Sequence, residues 1–318
     1  MYNPGLLCIE LVVRIAMDMD ARDLITGERL QSLGDITIIT EGVYQFHQSL
    51  GTMKTKLMGF GGSNQAPVAW EDLPEDAQRA QVFFVYTHLL DDFFRAIYPA
   101  LRQAIVLITH NSDHGITEQY RSYLDDPKIV GWYAQNVLIE HPKLRAIPIG
   151  IANAQWPHGH LDTVKSVIDQ GIEKTKDVYM NFDASTNLAG RAKVQEILKD
   201  KPFITHGEKR NFEGYLQDMA AHRFCVSPPG NGADCHRLWE CLYLGVIPIV
   251  EKDVSNEQFK NLPIVRIERW EDLDEAFLET QLARIESTDY AMDEISLGFW
   301  RRTIGKSRQE AMSTVLSD

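Results

Sequence analysis

Cysteine is scarce in this chain: Cys8, Cys225, Cys235 and Cys241 are the only four in 318 residues. Cys235 and Cys241 flank one helix-like segment at a spacing that fits neither a CxxC redox pair nor a zinc knuckle. Free thiols in a reducing compartment are the expected state. Long apolar runs are missing as well. The one run near the start, residues 6–16, contains Glu10 and Arg14 and is far short of a bilayer span. No basic segment precedes it, which argues against a secretory signal. A cytoplasmic protein with no transmembrane segment is therefore expected. Positive charge is in deficit: 32 Lys and Arg stand against 45 Asp and Glu, a net charge of −13, with no basic stripe. No nucleic-acid partner is expected, and any phosphate binding has to be local. The GxGxxG and Walker A patterns are absent, and so is the GxSxG elbow of serine hydrolases.

What is present is alternation. Short apolar runs at 36–40, 82–86, 105–109 and 146–151 read as buried strands of a first half. Runs at 178–182, 203–205, 224–227, 246–250 and 264–267 read as strands of a second. Amphipathic stretches separate most of them, most clearly 90–101 and 191–199. The pattern predicts an α/β chain of two Rossmann-like domains with parallel sheets covered on both faces. Residues 1–155 are predicted as the first domain and 156–290 as the second, with 291–318 as a C-terminal helical segment.

The densest signal is RFCVSPPGNGADCHRLWECLYLGVIPIV, residues 223–250. It reads as strand, Gly-rich loop, helix, strand. Pro228, Pro229, Gly230 and Gly232 break the chain, Asp234 is placed to cap the helix, and Gly245 stops it. Unpaired backbone N–H groups at the helix start, with the positive end of its dipole, suit a phosphate. Arg237 and Glu240 share one helical face. Arg237 suits a diphosphate and Glu240 suits ribose hydroxyls; the same two residues would also make an ordinary surface ion pair.

At these residues the chain resembles the exostosin-like glycosyltransferases. Their "F-C-x-x-P-x-G" strand end, "R-L-x-(D/E)-A" helix and "G-x-I-P-(I/V)" strand are matched at 224–230, 237–241 and 245–249, with Cys241 where the family often has Ala. The resemblance implies the GT-B arrangement, two such domains facing a cleft, and a C-terminal helix that returns to the first domain. It also implies inverting transfer of a sugar from a nucleoside diphosphate sugar to a glycan hydroxyl, as in polysaccharide synthesis, by a hexosyl- or glycuronosyltransferase type of enzyme. A UDP-sugar is favoured, a GDP-sugar fits too, and no metal or other cofactor is required. Animal and plant members usually carry a membrane anchor, and none is expected here.

Further candidates follow predicted strands, where parallel sheets place their ligands. Residues 181–191, NFDASTNLAGR, open a helix on Arg191, a cation disfavoured by the helix dipole and so a candidate for the diphosphate. Residues 206–210, HGEKR, offer Lys209 and Arg210. Ser227, Gly230, Asn231, Gly232 and Asp234 complete the expected donor loop. In the first half HNSDH, residues 110–114, supplies candidates for the base that takes the acceptor proton: Asp113 first, then His110 and His114. A turn of Asn and Asp with a packed histidine explains the same residues structurally. His158-Gly159-His160 lacks the carboxylate or cysteine at supporting spacing that a metal site needs, and Asp18-Met19-Asp20 is a DxD match, common by chance, outside any Gly-rich phosphate context. Two other readings fit the chain: a fucosyltransferase-like enzyme using GDP-fucose, and a non-catalytic nucleotide-sugar binding protein.

Overall fold

The computed structural model describes residues 19–40, 56–60 and 67–315. The apolar run at 6–16, Cys8 and Asp18 lie outside the described residues. The chain divides into two compact units. One comprises Thr26–Ile147 with the described residues from Gly298 onward; the other comprises Pro148–Leu297 with the described residues up to Ile25.

The Thr26–Ile147 unit is built on strands β1 (Ile36–Thr40), β2 (Lys56–Phe60), β3 (Val82–Tyr86), β4 (Ile105–His110), β5 (Ile129–Ala134) and β6 (Leu144–Ala146). They form one sheet in the order β2-β1-β3-β4-β5-β6, and every pairing is parallel. All residues of β3 and β4 are buried, as continuous apolar runs demand of strands covered on both faces. The helix expected over 90–101 is broken into an α turn, a π-helical segment Phe93–Ile97 and a 3-10 turn Tyr98–Ala100. Pro99 has no N–H to donate to the preceding turn, so a regular α-helix cannot continue through it. The C-terminal helix Leu297–Ser313 supplies this unit with Trp300, fully buried, and with Ser307, whose Oγ lies 2.8 Å from Tyr133 Oη.

The Pro148–Leu297 unit carries β7 (Lys176–Met180), β8 (Ile204–His206), β9 (His222–Val226), β10 (Ile247–Glu251) and β11 (Val265–Ile267). Their order is β11-β10-β9-β7-β8, again all parallel. Helix α1 (Leu161–Asp169) precedes the strands, and α2 (Leu188–Leu198), α3 (Phe212–Ala220), α4 (His236–Tyr243) and α5 (Glu275–Glu286) connect or follow them. The predicted α/β class with two parallel sheets is thus the observed one. From β7 the chain goes to β8 on one side and then to β9 on the other. The edge between β7 and β9 is therefore a topological switch point, where loops diverge and leave a crevice at the carboxyl ends of the strands. Leu238, Trp239, Leu242 and Tyr243 anchor α4 in the core. Gly245 ends it with a left-handed backbone, φ 65°, which glycine adopts without a Cβ clash.

Candidate functional site

Both sides of the β7–β9 edge supply an arginine. The loop after β7 turns through Asp183, whose carboxylate accepts from Ser185 N, and Asn187, whose side chain caps α2 by accepting from Gly190 N. That cap places Arg191 in the first turn of α2. It is only 6% exposed, so it is not a solvated surface side chain. Its Nε donates to Pro229 O at 2.9 Å and its Nη1 to Asp183 O at 3.1 Å, tying the loop after β7 to the loop after β9. Asn187 Nδ2 donates to Gly230 O at 3.1 Å and adds a second tie.

Arg237, in the first turn of α4, reaches the same place from the β9 side. Its Nε donates to Asn181 O at 3.1 Å, and its Nη1 is buried with no hydrogen-bond partner. Both guanidinium carbons stand over the Phe182 ring, 5.7 Å for Arg191 and 5.6 Å for Arg237. Two cations over one ring repel. Burial and the charge of Arg237 lower the pKa of Arg191. Burial also opposes the charge on Arg237, but Tyr215, Cys235, Cys225 and Glu240 around it outweigh that and raise its pKa. A buried guanidinium N–H without an acceptor costs on the order of 1–3 kcal/mol or more, which an anion between the loops would relieve.

Glu240 does not form the surface ion pair. It is 3% exposed, and Tyr215 Oη donates to its Oε2 at 2.9 Å. Burial raises its pKa, while Arg237 and the Tyr215 hydroxyl oppose the rise. Asp234 does not cap α4 either. The N-cap is Cys235, with no side-chain cap bond. The Asp234 carboxylate instead accepts from Trp239 Nε1, at 2.9 and 2.8 Å, and from Ile149 N at 2.8 Å. Burial pushes its pKa up to about 7.

The remaining donor candidates are spread along the same sheet edge. Ser227 is buried, with Oγ 3.2 Å from Cys235 Sγ; Asn231 is exposed and Gly232 is buried. Lys209 is exposed, and Arg210 is spoken for by an ion pair to Asp218 at 3.0 Å. A small pocket opens between the loops after β9 and β10, lined among others by Ser227, Cys235, Asp253 and Ser255. Ser255 Oγ is buried there without a partner. Neither this loop nor the side chains of Phe182 and Tyr215 stood out in the sequence. Only the position of residues 251–256 after a predicted strand could have pointed to the loop.

In the other unit, His110 ends β4 at 1% exposure, and its Nδ1 donates to Asn111 Oδ1 at 3.1 Å. Asn111 takes a left-handed backbone, φ 56°, and turns the chain outward. Asp113 and His114 are exposed, and His114 Nδ1 lies 2.9 Å from Ser112 Oγ. His88, in the turn after the neighbouring β3, was not singled out from sequence. Burial and the charge of His114 lower its pKa. His158 and His160 belong to no cluster of three or more His, Cys, Asp or Glu side chains, and among the described residues there is none. Asp20 caps a 3-10 turn by accepting from Arg22 N and also pairs with the Arg22 guanidinium. Among the described residues no helix is long and apolar enough to cross a membrane.

No family model matches the chain, and no curated protein matches it. Among solved structures it is similar to a UDP-forming alpha,alpha-trehalose-phosphate synthase from Burkholderia xenovorans, at 11% identity over 88% of this chain and 99% of that one, with a TM-score of 0.44. It is also similar to the GtfA/B complex, at 10% identity over 72% of this chain and 57% of that one, with a TM-score of 0.34.

Proposed function

We propose that the protein is a glycosyltransferase that takes a sugar from a nucleoside diphosphate sugar and passes it, with inversion, to a glycan hydroxyl. One observation carries this reading: two guanidiniums converge on Phe182 at the β7–β9 switch point, and one of them keeps a buried N–H unpaired. A diphosphate supplies the anionic oxygens that this pair lacks. The departing diphosphate gains charge as the anomeric C–O bond breaks, and fixed cations stabilise it most at that moment. Asp113 is the first choice for the base that removes the acceptor proton, with His110 and His114 behind it.

Glu240 acts on the ribose or, given its bond to Tyr215, holds Arg237 in register. The finer readings belong to the same proposal: an exostosin-like member of GT-B architecture, a UDP-sugar ahead of a GDP-sugar, no required metal, and a cytoplasmic role in polysaccharide synthesis. Calorimetry with UDP, GDP and CMP on the intact chain tests it, together with donor hydrolysis in the absence of acceptor. Binding of a nucleoside diphosphate and its slow release from the donor are expected. Failure of all three nucleotides to bind overturns the reading.

A further inference from the structure

Trp156 is the anomaly of the Pro148–Leu297 unit: a large aromatic side chain left 54% exposed in a loop that is not loose. Trp156 N donates to Asn153 O at 3.0 Å and Gly159 N donates to Trp156 O at 2.9 Å, so the loop is two interlocked turns. A Cβ on Gly159 would sit 2.1 Å from Asn153 O, so only glycine allows this closure. The loop is also fastened to the start of α4. Asp234 accepts from Ile149 N at 2.8 Å, and His236 Nδ1 donates to Gly150 O at 2.7 Å.

Behind the indole, His158 lies nearly parallel, with centroids 6.4 Å apart and planes at 22°. The His158 ring rests in turn on Phe212 at 6.4 Å and His236 at 5.9 Å, the first residues of α3 and α4. Trp156 is thus mounted on the N-terminal ends of the two helices that flank the candidate donor loop. Its neighbours in the loop, Gln155, His158 and His160, are exposed and carry no fixed charge.

A rigid aromatic surface, rimmed by neutral hydrogen-bonding side chains and set beside a sugar-donor site, matches the apolar C–H face and hydroxyl edge of a pyranose ring. From this we infer that Trp156 and His158 form the platform on which the acceptor glycan's sugar ring stacks, with a neutral oligosaccharide as the ligand class. The inference rests on the glycosyltransferase reading for the word acceptor, but the binding itself requires no donor.

The test is direct binding of the full chain to an array of neutral gluco-, galacto-, manno- and N-acetylhexosamine tetrasaccharides, with no nucleotide present. Retention of at least one of them is expected, weakened tenfold or more by Trp156→Ala and by no more than about threefold by Trp156→Phe, which keeps a stacking face. Affinity for UDP or GDP, measured by calorimetry on the same variants, should stay within twofold. That unchanged affinity also reports that the unit is folded. No retention of any tetrasaccharide, or equal retention by Trp156→Ala, overturns the platform. Loss of nucleotide affinity in folded Trp156→Ala would make it a nucleobase shelf and equally overturn it. Glycan binding with no nucleotide binding at all would leave the platform standing and remove the donor reading instead.

Discussion

Arg237 is held by one backbone carbonyl and one aromatic face, which leaves part of its hydrogen-bonding fork for a ligand. Arg237→Ala should weaken UDP or GDP binding by about 1.5–3 kcal/mol, roughly 10- to 150-fold, and should lower turnover further, because the charge it meets grows in the transition state. Calorimetry and steady-state rates separate the two effects. Unchanged values for both would mean that the residue only braces the loops. Arg191 has backbone partners on Nε and Nη1, so Arg191→Ala should cost stability as well as affinity. The base is probed by substitution at Asp113, which is exposed. Asp113→Asn should cut turnover 10²–10⁴-fold with nucleotide affinity intact. If His114→Ala or His88→Ala alone is dead, the strand edge is right and the residue is wrong.

At the scale of the element, a buried carboxylate, Asp234, stands just ahead of α4. The folded-state pKa of Asp234, about 7, lies above its usual 3.8. Its contribution to stability is therefore full below about pH 4 and is lost as pH rises through 7. Asp234→Asn keeps an acceptor for Trp239 and Ile149 and removes that loss. Denaturant unfolding should find the variant gaining on the wild type between about pH 4 and 7 by a few kcal/mol, on the scale of about 1.36 kcal/mol per pKa unit. Parallel curves would show that Asp234 is not the titrating group. The same helix shows how far sequence reading reaches. Its limits, its buried face and its stop at Gly245 follow from apolar spacing and from glycine, and the flanking strands β9 and β10 follow from their apolar runs. The cap could not be read, because Asp234 is a good N-cap residue whose carboxylate is claimed by groups five and 85 residues away. Arg191 and Arg237 were legible as cations near a helix start. Their convergence on Phe182 was not, since it depends on β7 and β9 being neighbours although β8 lies between them in sequence. β5 was passed over because Gly131 and the preceding turn interrupt its run.

For the whole molecule, the net charge of −13 makes the arginine pair a local exception in an acidic protein. Donor capture should therefore weaken as salt rises, and Arg237→Ala should flatten that dependence. Activity should persist in excess EDTA if the guanidiniums replace an ion. A strict need for manganese or magnesium would count against the proposed site.

The division of the chain also has a consequence for how it is made. The unit whose sheet is complete at Ile147 receives its last helix only after Leu297, roughly 150 residues later. At about 5–20 residues per second, a ribosome needs roughly 8–30 seconds to cross that interval. During it, the places of Trp300 and Ser307 beside Tyr133 stand open, and apolar surface that the finished protein hides is available to chaperones or to other nascent chains. A chain cut after residue 296 prolongs that vulnerable interval indefinitely. It should accumulate in inclusion bodies, with soluble yield restored by co-expressing residues 297–318 as a separate peptide.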